Sequence, residues 1–225
     1  MIYEIHDIAK LIDSATKEEK VSLANVLKLE VDDPNGDDLA KQLLWKYQTP
    51  IGYLVKTPTF NDITIATVKK FMKIPSKKRN LSCWNLLNQL TLYLFNKMFD
   101  EMDDENKETF LKTLLSEDKI KEICGDSRSI KWEQIRPAVV IASIPSYVLA
   151  VTVSTQVAYA LFGTAIKSIA PRIISAPIIL GPLGWLLVAW GLNDLLGTNW
   201  KQVIPGILYI NCIYERLKDE GKLPF

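Results

Sequence analysis

Apolar positions recur at helical spacing from the start of the chain. Ile5, Ile8, Leu11 and Ile12 form one stripe, and Leu23, Val26 and Leu27 form a second. Thr16 and Glu19 stand three apart in Thr16-Lys17-Glu18-Glu19, the spacing of a capping box. The stretch Asp32-Asp33-Pro34-Asn35-Gly36-Asp37 is the strongest break, combining proline, Asn-Gly and an aspartate N-cap candidate. Beyond it Leu39, Leu43, Leu44 and Tyr47 make another stripe. Pro50 and Pro58 then bracket an irregular segment. Thr59 with Asp62 opens a helix through Ile63, Val68, Phe71 and Met72 that stops before Pro75. A longer one, from about Ser82 to Met102, shows Trp84, Leu87, Leu90, Leu94, Phe95 and Met98 on one face. Asp103 caps a further helix through Phe110, Leu111, Leu114 and Leu115. No strand-length alternation competes, so the fold class is all-α.

From Pro137 the pattern changes. Residues 137–166 carry no charge, nor do residues 173–193; between them lies the basic connector Lys167-Ser168-Ile169-Ala170-Pro171-Arg172. Either run has the length of a hydrocarbon crossing, which takes about 20 residues of helix. Neither is well suited to one. In 145–166, eight strongly apolar residues contribute only about −2 to −5 kcal/mol, eroded by Ser146, Thr152, Ser154, Thr155, Gln156 and Thr164. The second run is broken by Pro177, Gly181, Pro182 and Gly184; its uninterrupted part, 183–196, is about 21 Å of helix against about 30 Å of hydrocarbon. Ala138, Ala142, Ser146, Ala150, Ser154 and Ala158 put a small residue at every fourth position. Pro145 interrupts that ridge, leaving Ser146, Ala150, Ser154 and Ala158 as its continuous part. Such a ridge lets another backbone approach closely, and the 173–196 run is the expected partner. Pro205 fits the first turn of a last helix with Ile207, Ile210, Ile213 or Tyr214, and Leu217 inward; Gly221 is its C-cap.

The expected architecture is a soluble helical bundle, then a C-terminal hydrophobic helical hairpin, then a final amphipathic helix. Its parts are an N-terminal helical pair (1–31), a charged helical domain (37–126), and the hairpin with the last helix (137–225). Charge sharpens the division. Of 53 charged side chains in 225 residues, 43 fall in residues 1–136 and four in 137–214. Residues 63–99 carry seven positive and no negative side chains, and residues 100–126 carry ten acids against four lysines. Two such blocks facing each other across a bundle is the simplest expectation. A net charge of +1 argues against general nucleic-acid binding. The basic cluster Lys69, Lys70, Lys73, Lys77, Lys78 and Arg79 suits either a solvated helix end or anionic lipid. Cys83, Cys124 and Cys212 are scattered, which fits a reducing compartment. The start Met1-Ile2-Tyr3-Glu4-Ile5-His6-Asp7 lacks the basic and apolar character of a secretory signal. The expected location is therefore cytoplasmic, associated with the inner membrane.

Catalytic chemistry finds little material. His6 is the only histidine, so neither a histidine metal cluster nor a His-containing triad can form, and a surface role is expected for it. The acidic run Asp100-Glu101-Met102-Asp103-Asp104-Glu105 lacks the glycine and alternating ligands of a calcium loop. In 33–44 the glycine comes too early, at the fourth position and not the sixth, and Leu44 replaces the terminal acid. No phosphate-binding Gly-rich loop is present. The expectation is a non-enzymatic protein without metal or cofactor, whose partner is membrane lipid or a membrane-protein client rather than nucleic acid.

Several stretches resemble the bacterial YaaW-like family of uncharacterised proteins, which is grouped with the ubiquinol–cytochrome c chaperones. They are Asp7-Ile8-Ala9-Lys10-Leu11-Ile12 with Lys17-Glu18-Glu19, and Ile65-Ala66-Thr67-Val68-Lys69-Lys70-Phe71-Met72-Lys73-Ile74 with Asn96-Lys97-Met98 through Phe110-Leu111. The third is Gly181-Pro182-Leu183-Gly184-Trp185, followed by Asp194, Gly197 and Val203-Ile204-Pro205. The likeness covers nearly the whole chain. Where that family has a Phe-Gly-Gly-Asn-Ser-like stretch, this chain has Tyr47-Gln48-Thr49-Pro50-Ile51-Gly52. The resemblance implies a chaperone-like character by analogy and no defined activity. Three functional readings follow: stable membrane association, colicin-like conditional insertion with pore formation, or a soluble assembly factor for a membrane protein.

Overall fold

A computed structural model describes residues 2–48, 57–74, 81–124, 137–162 and 198–225. All regular structure among them is helical. The helices are α1 (Ile5–Asp13), α2 (Lys17–Leu27), α3 (Gly36–Tyr47), α4 (Phe60–Phe71), α5 (Cys83–Glu101), α6 (Asp104–Leu114), α7 (Glu117–Cys124), α8 (Pro137–Ala142), α9 (Ser146–Phe162) and α10 (Trp200–Asp219).

Local chemistry sets most of the boundaries. Thr16 Oγ1 accepts from the Glu19 amide at 3.2 Å, and Glu19 Oε2 accepts from the Thr16 amide at 2.8 Å, completing the capping box of α2. Thr59 and Asp62 repeat that arrangement at α4. Ser82 and Asp103 cap α5 and α6. At α3 the cap is Asn35, whose Oδ1 accepts from the Asp38 amide at 2.9 Å, so no aspartate of the 32–37 break serves as the cap. Two boundaries differ from the sequence pattern. Leu115 is extended (φ −122°, ψ 150°), and a new helix begins at Glu117, its start marked by Ser116 followed by two acids. The last helix begins at Trp200, so Pro205 lies inside it rather than in its first turn. Interior proline withdraws a backbone hydrogen bond from the carbonyl four residues back, at a cost of about 3 kcal/mol. Packing and two tertiary hydrogen bonds at the start of α10 offset that cost, as described below.

Helix α10 is the axis of the molecule. Residues 202–213 are buried on every side, well beyond the single inner face its apolar spacing suggested. It packs on α9, α2 and α3, with less extensive contact to α1, α4 and α5. One apolar cluster joins Ile8, Leu11 and Ile12 of α1 and Leu23 and Leu27 of α2 to Leu39 and Leu43 of α3 and to Ile207 and Ile210 of α10. A second joins Leu94 and Phe95 of α5, Phe110 of α6, Val153 and Val157 of α9, and Ile204 and Leu208 of α10. Each fully buried Leu, Ile or Phe contributes about 1.5–3 kcal/mol. An aromatic group closes the first cluster: Trp84 stacks on Tyr214 at 3.9 Å between ring centroids, with Tyr3 and Phe60 against its sides.

Close helix approach depends on two glycines. A Cβ on Gly36 would lie 2.1 Å from the Ala9 carbonyl oxygen, so α3 can start against α1 only without one; Asp13 Oδ1 accepts its amide at 2.6 Å. Gly206, one residue after Pro205, brings α10 onto Leu27. Gly221 (φ 67°) ends α10: its amide donates to Lys218 O, and the Lys222 amide donates to Leu217 O. That pair of bonds is a Schellman cap.

Candidate functional site

The small-residue ridge packs against α10; its expected partner, residues 173–196, lies outside the described residues. Ser146 is exposed at the start of α9, whereas Ala150, Ser154 and Ala158 are buried. Ala150 touches the part of α10 around Cys212, and Ser154 sits beside the Cys212 thiol. Ala158 joins the cluster that holds Val203 and Ile207. The neighbouring face of α9 puts Leu149, Val153 and Val157 into the cluster that joins α5 and α6 to α10. A charge-free helix is thus enclosed by protein along 149–158. The Cys212 thiol donates to Leu208 O at 3.2 Å, and burial pushes its pKa far up. Burial likewise pushes the Cys83 thiol up to about 12, so neither is a nucleophile near neutral pH.

Polar side chains cross this apolar interior in one seam. Glu19, only 4% exposed, accepts two hydrogen bonds from Arg216 Nε and Nη2, each 2.7 Å, and Arg216 Nη1 reaches Glu220 at 2.9 Å. One residue earlier on α10, fully buried Glu215 accepts from Asn88 Nδ2 of α5 at 2.8 Å and from Lys218 Nζ at 3.2 Å. Asn88 Oδ1 in turn accepts from Asn211 Nδ2 at 3.1 Å. Paired in this way, the carboxylates tie α10 to α2 and to α5 and set its register against both. The sequence does carry a trace of the seam: Ile207, Asn211 and Glu215 recur every four residues, two polar residues in an otherwise apolar stripe. Its reading as a core seam needed the partner helices.

A second assembly forms where the ends of α3 and α4 meet the start of α10. The Asn199 amide donates to Lys46 O at 2.8 Å, and the Thr198 hydroxyl to Tyr47 O at 2.7 Å. These are carbonyls at the electronegative end of α3. Tyr47 meets Trp200 edge-on at 6.0 Å, and Lys70 Nζ lies 4.8 Å from the Trp200 ring centroid. Lys46 Nζ lies 4.5 Å from the ring of Trp45, which is 56% exposed. Partial burial and the neighbouring charge of Lys28 lower the Lys46 pKa. Lys28 itself is in the left-handed region (φ 52°), a conformation that costs a non-glycine residue about 1–2 kcal/mol. Gln42 Nε2, 3.2 Å from Leu27 O, supports that turn. Burial and the charge of Asp62 raise the Tyr47 pKa.

Of the basic cluster, Lys69, Lys70 and Lys73 are exposed at the end of α4; Lys77, Lys78 and Arg79 lie outside the described residues. So do Gly181, Pro182, Gly184 and Trp185. Lys112–Glu108 and Lys119–Glu122 are ion pairs within single helices of the acidic block. Trp45, Lys46 and Trp200 were not among the sequence candidates. The signal that could have found them is the pairing of tryptophan with lysine at Trp45-Lys46 and Trp200-Lys201.

Among the described residues, no group of three or more His, Cys, Asp and Glu is placed to hold a metal ion, and no helix is long and apolar enough to cross a membrane. No family model, curated protein or solved structure matches the chain.

Proposed function

We propose that this is a non-enzymatic, membrane-associated helical protein. In this reading a charged helical bundle is followed by an apolar hairpin, with α9 as its first arm and residues 173–196 as its second, and then by α10. The observation that carries it is the enclosure of the charge-free helix α9 between α10 and the α5–α6 side. A segment of this kind is kept from water by protein, and the protein interior and a bilayer are the two phases that can hold it. The resemblance to the YaaW-like family is compatible with such a role and adds no activity to it.

Fractionation of cells making the full chain tests the reading. The expected result is recovery with membranes at neutral pH and low salt, with an alkaline carbonate wash separating surface-bound from inserted protein. Recovery wholly in the soluble fraction overturns it.

The burial of Ala150, Ser154 and Ala158 against α10 favours a second reading, conditional insertion, in which the hairpin leaves the bundle for the bilayer. Dye release from anionic vesicles at acid and neutral pH checks this, and no release at either pH rules it out.

A further inference from the structure

We propose that the lysine–aromatic rim at the meeting of α3, α4 and α10 is the surface by which the protein docks on an anionic phospholipid membrane, with Trp45 entering the headgroup layer. The inference rests on membrane association and names the face that makes it.

Three observations converge on that face. The first is its composition: Lys46 lies beside exposed Trp45 at the end of α3, and Lys70 and Tyr47 both lie against Trp200 at the start of α10. Amphipathic rings with flanking lysines are the side chains that settle at a lipid–water boundary. The second is charge. Lys28 and Lys46 stand close enough for one to depress the pKa of the other, and Lys69 and Lys73 flank Lys70, all three exposed. Asp62 is one acid whose charge reaches the rim, through Tyr47. Crowded lysines repel one another in the free protein, and an anionic surface relieves that repulsion. The third is position in the chain. The uncharged run 173–193 ends only five residues before Thr198, whose hydroxyl is fastened to Tyr47 O.

Lysine at an anionic surface strengthens binding by about fivefold per residue, and salt weakens it. The test is co-sedimentation of the full chain with phosphatidylglycerol–phosphatidylcholine vesicles and with pure phosphatidylcholine vesicles, at low and high salt. The chain is compared with Lys46→Gln/Lys70→Gln, with Trp45→Ala, and with the charge-matched control Lys10→Gln/Lys112→Gln; circular dichroism confirms that each variant is folded. The expected result is preference for the anionic vesicles, a loss of more than tenfold in Lys46→Gln/Lys70→Gln, a smaller loss in Trp45→Ala, and little change in the control. Undiminished anionic binding by folded Lys46→Gln/Lys70→Gln overturns the rim and leaves membrane association standing. Equal binding of the wild-type chain to both vesicle types does the same. Binding to neither overturns both.

Discussion

Arg216 holds Glu19 through two parallel hydrogen bonds of 2.7 Å, although 197 positions separate them in the chain. Glu19 also closes the capping box of α2, so one carboxylate starts a helix locally and joins it to the central helix α10. Removing one partner leaves the other charge nearly buried. Glu19→Gln and Arg216→Met are each expected to cost about 3 kcal/mol in urea unfolding. The double variant should cost less than the sum, and additive losses would show the pair to be uncoupled.

Gly36 and Gly221 separate two uses of glycine. Gly36→Ala forces a Cβ against the Ala9 backbone, so α1 and α3 must part, at an expected cost of about 1–3 kcal/mol. Gly221→Ala meets nothing within 4 Å and suffers only the left-handed backbone, at about 1 kcal/mol. Thermal melts of the two variants check the order, with Gly36→Ala the lower.

The ridge of α9 should respond to added volume only where it is buried. Ala158→Leu overfills the contact with α10 and is expected to destabilise by about 1–3 kcal/mol. Ser146→Leu, on the same ridge but exposed, should stay within about 0.5 kcal/mol of the parent. Equal effects in chemical denaturation would mean that the ridge is not an internal contact.

Cys83 and Cys212 should resist alkylation. Burial raises both thiol pKa values, so the reactive thiolate, present only as pH approaches the raised value, is scarce at pH 8. In a Cys124→Ser background, iodoacetamide is expected to label neither until denaturant is added. Rapid labelling of Cys212 in the folded protein would contradict the burial of α10, and of Cys83 the burial of the start of α5.

Helix starts were the most legible features of the chain. Thr16, Thr59, Ser82 and Asp103 cap through bonds to the residue three positions on, so the spacing that reveals them is also the interaction that makes them. The break at Leu115 was masked by an apolar stripe that runs across it, although Ser116 with two following acids carries the signal of a fresh start. Pro205 misled for a related reason. Its preference for a first turn is a local rule, overridden here by Asn199 and Thr198 bonding to the carbonyls of Lys46 and Tyr47 and by Trp200 packed on Tyr47.

The candidate surfaces divide in the same way. The ridge and the exposed lysines of α4 were visible because a 3.6-residue period writes a helix face into the sequence. The partner of that face was not visible. Ala150, Ser154 and Ala158 would suit any close neighbour, and α10 is that neighbour because it runs through the middle of the fold. Glu19–Arg216, Asn88–Glu215 and Lys70–Trp200 likewise join distant segments, so no local pattern records them. Short-range hydrogen bonds and amphipathic period settle that the chain is helical and where most of its helices begin. Which helix is central, and which lysines meet which aromatic rings, follows from packing among the ten described helices, a competition that depends on all of their faces at once.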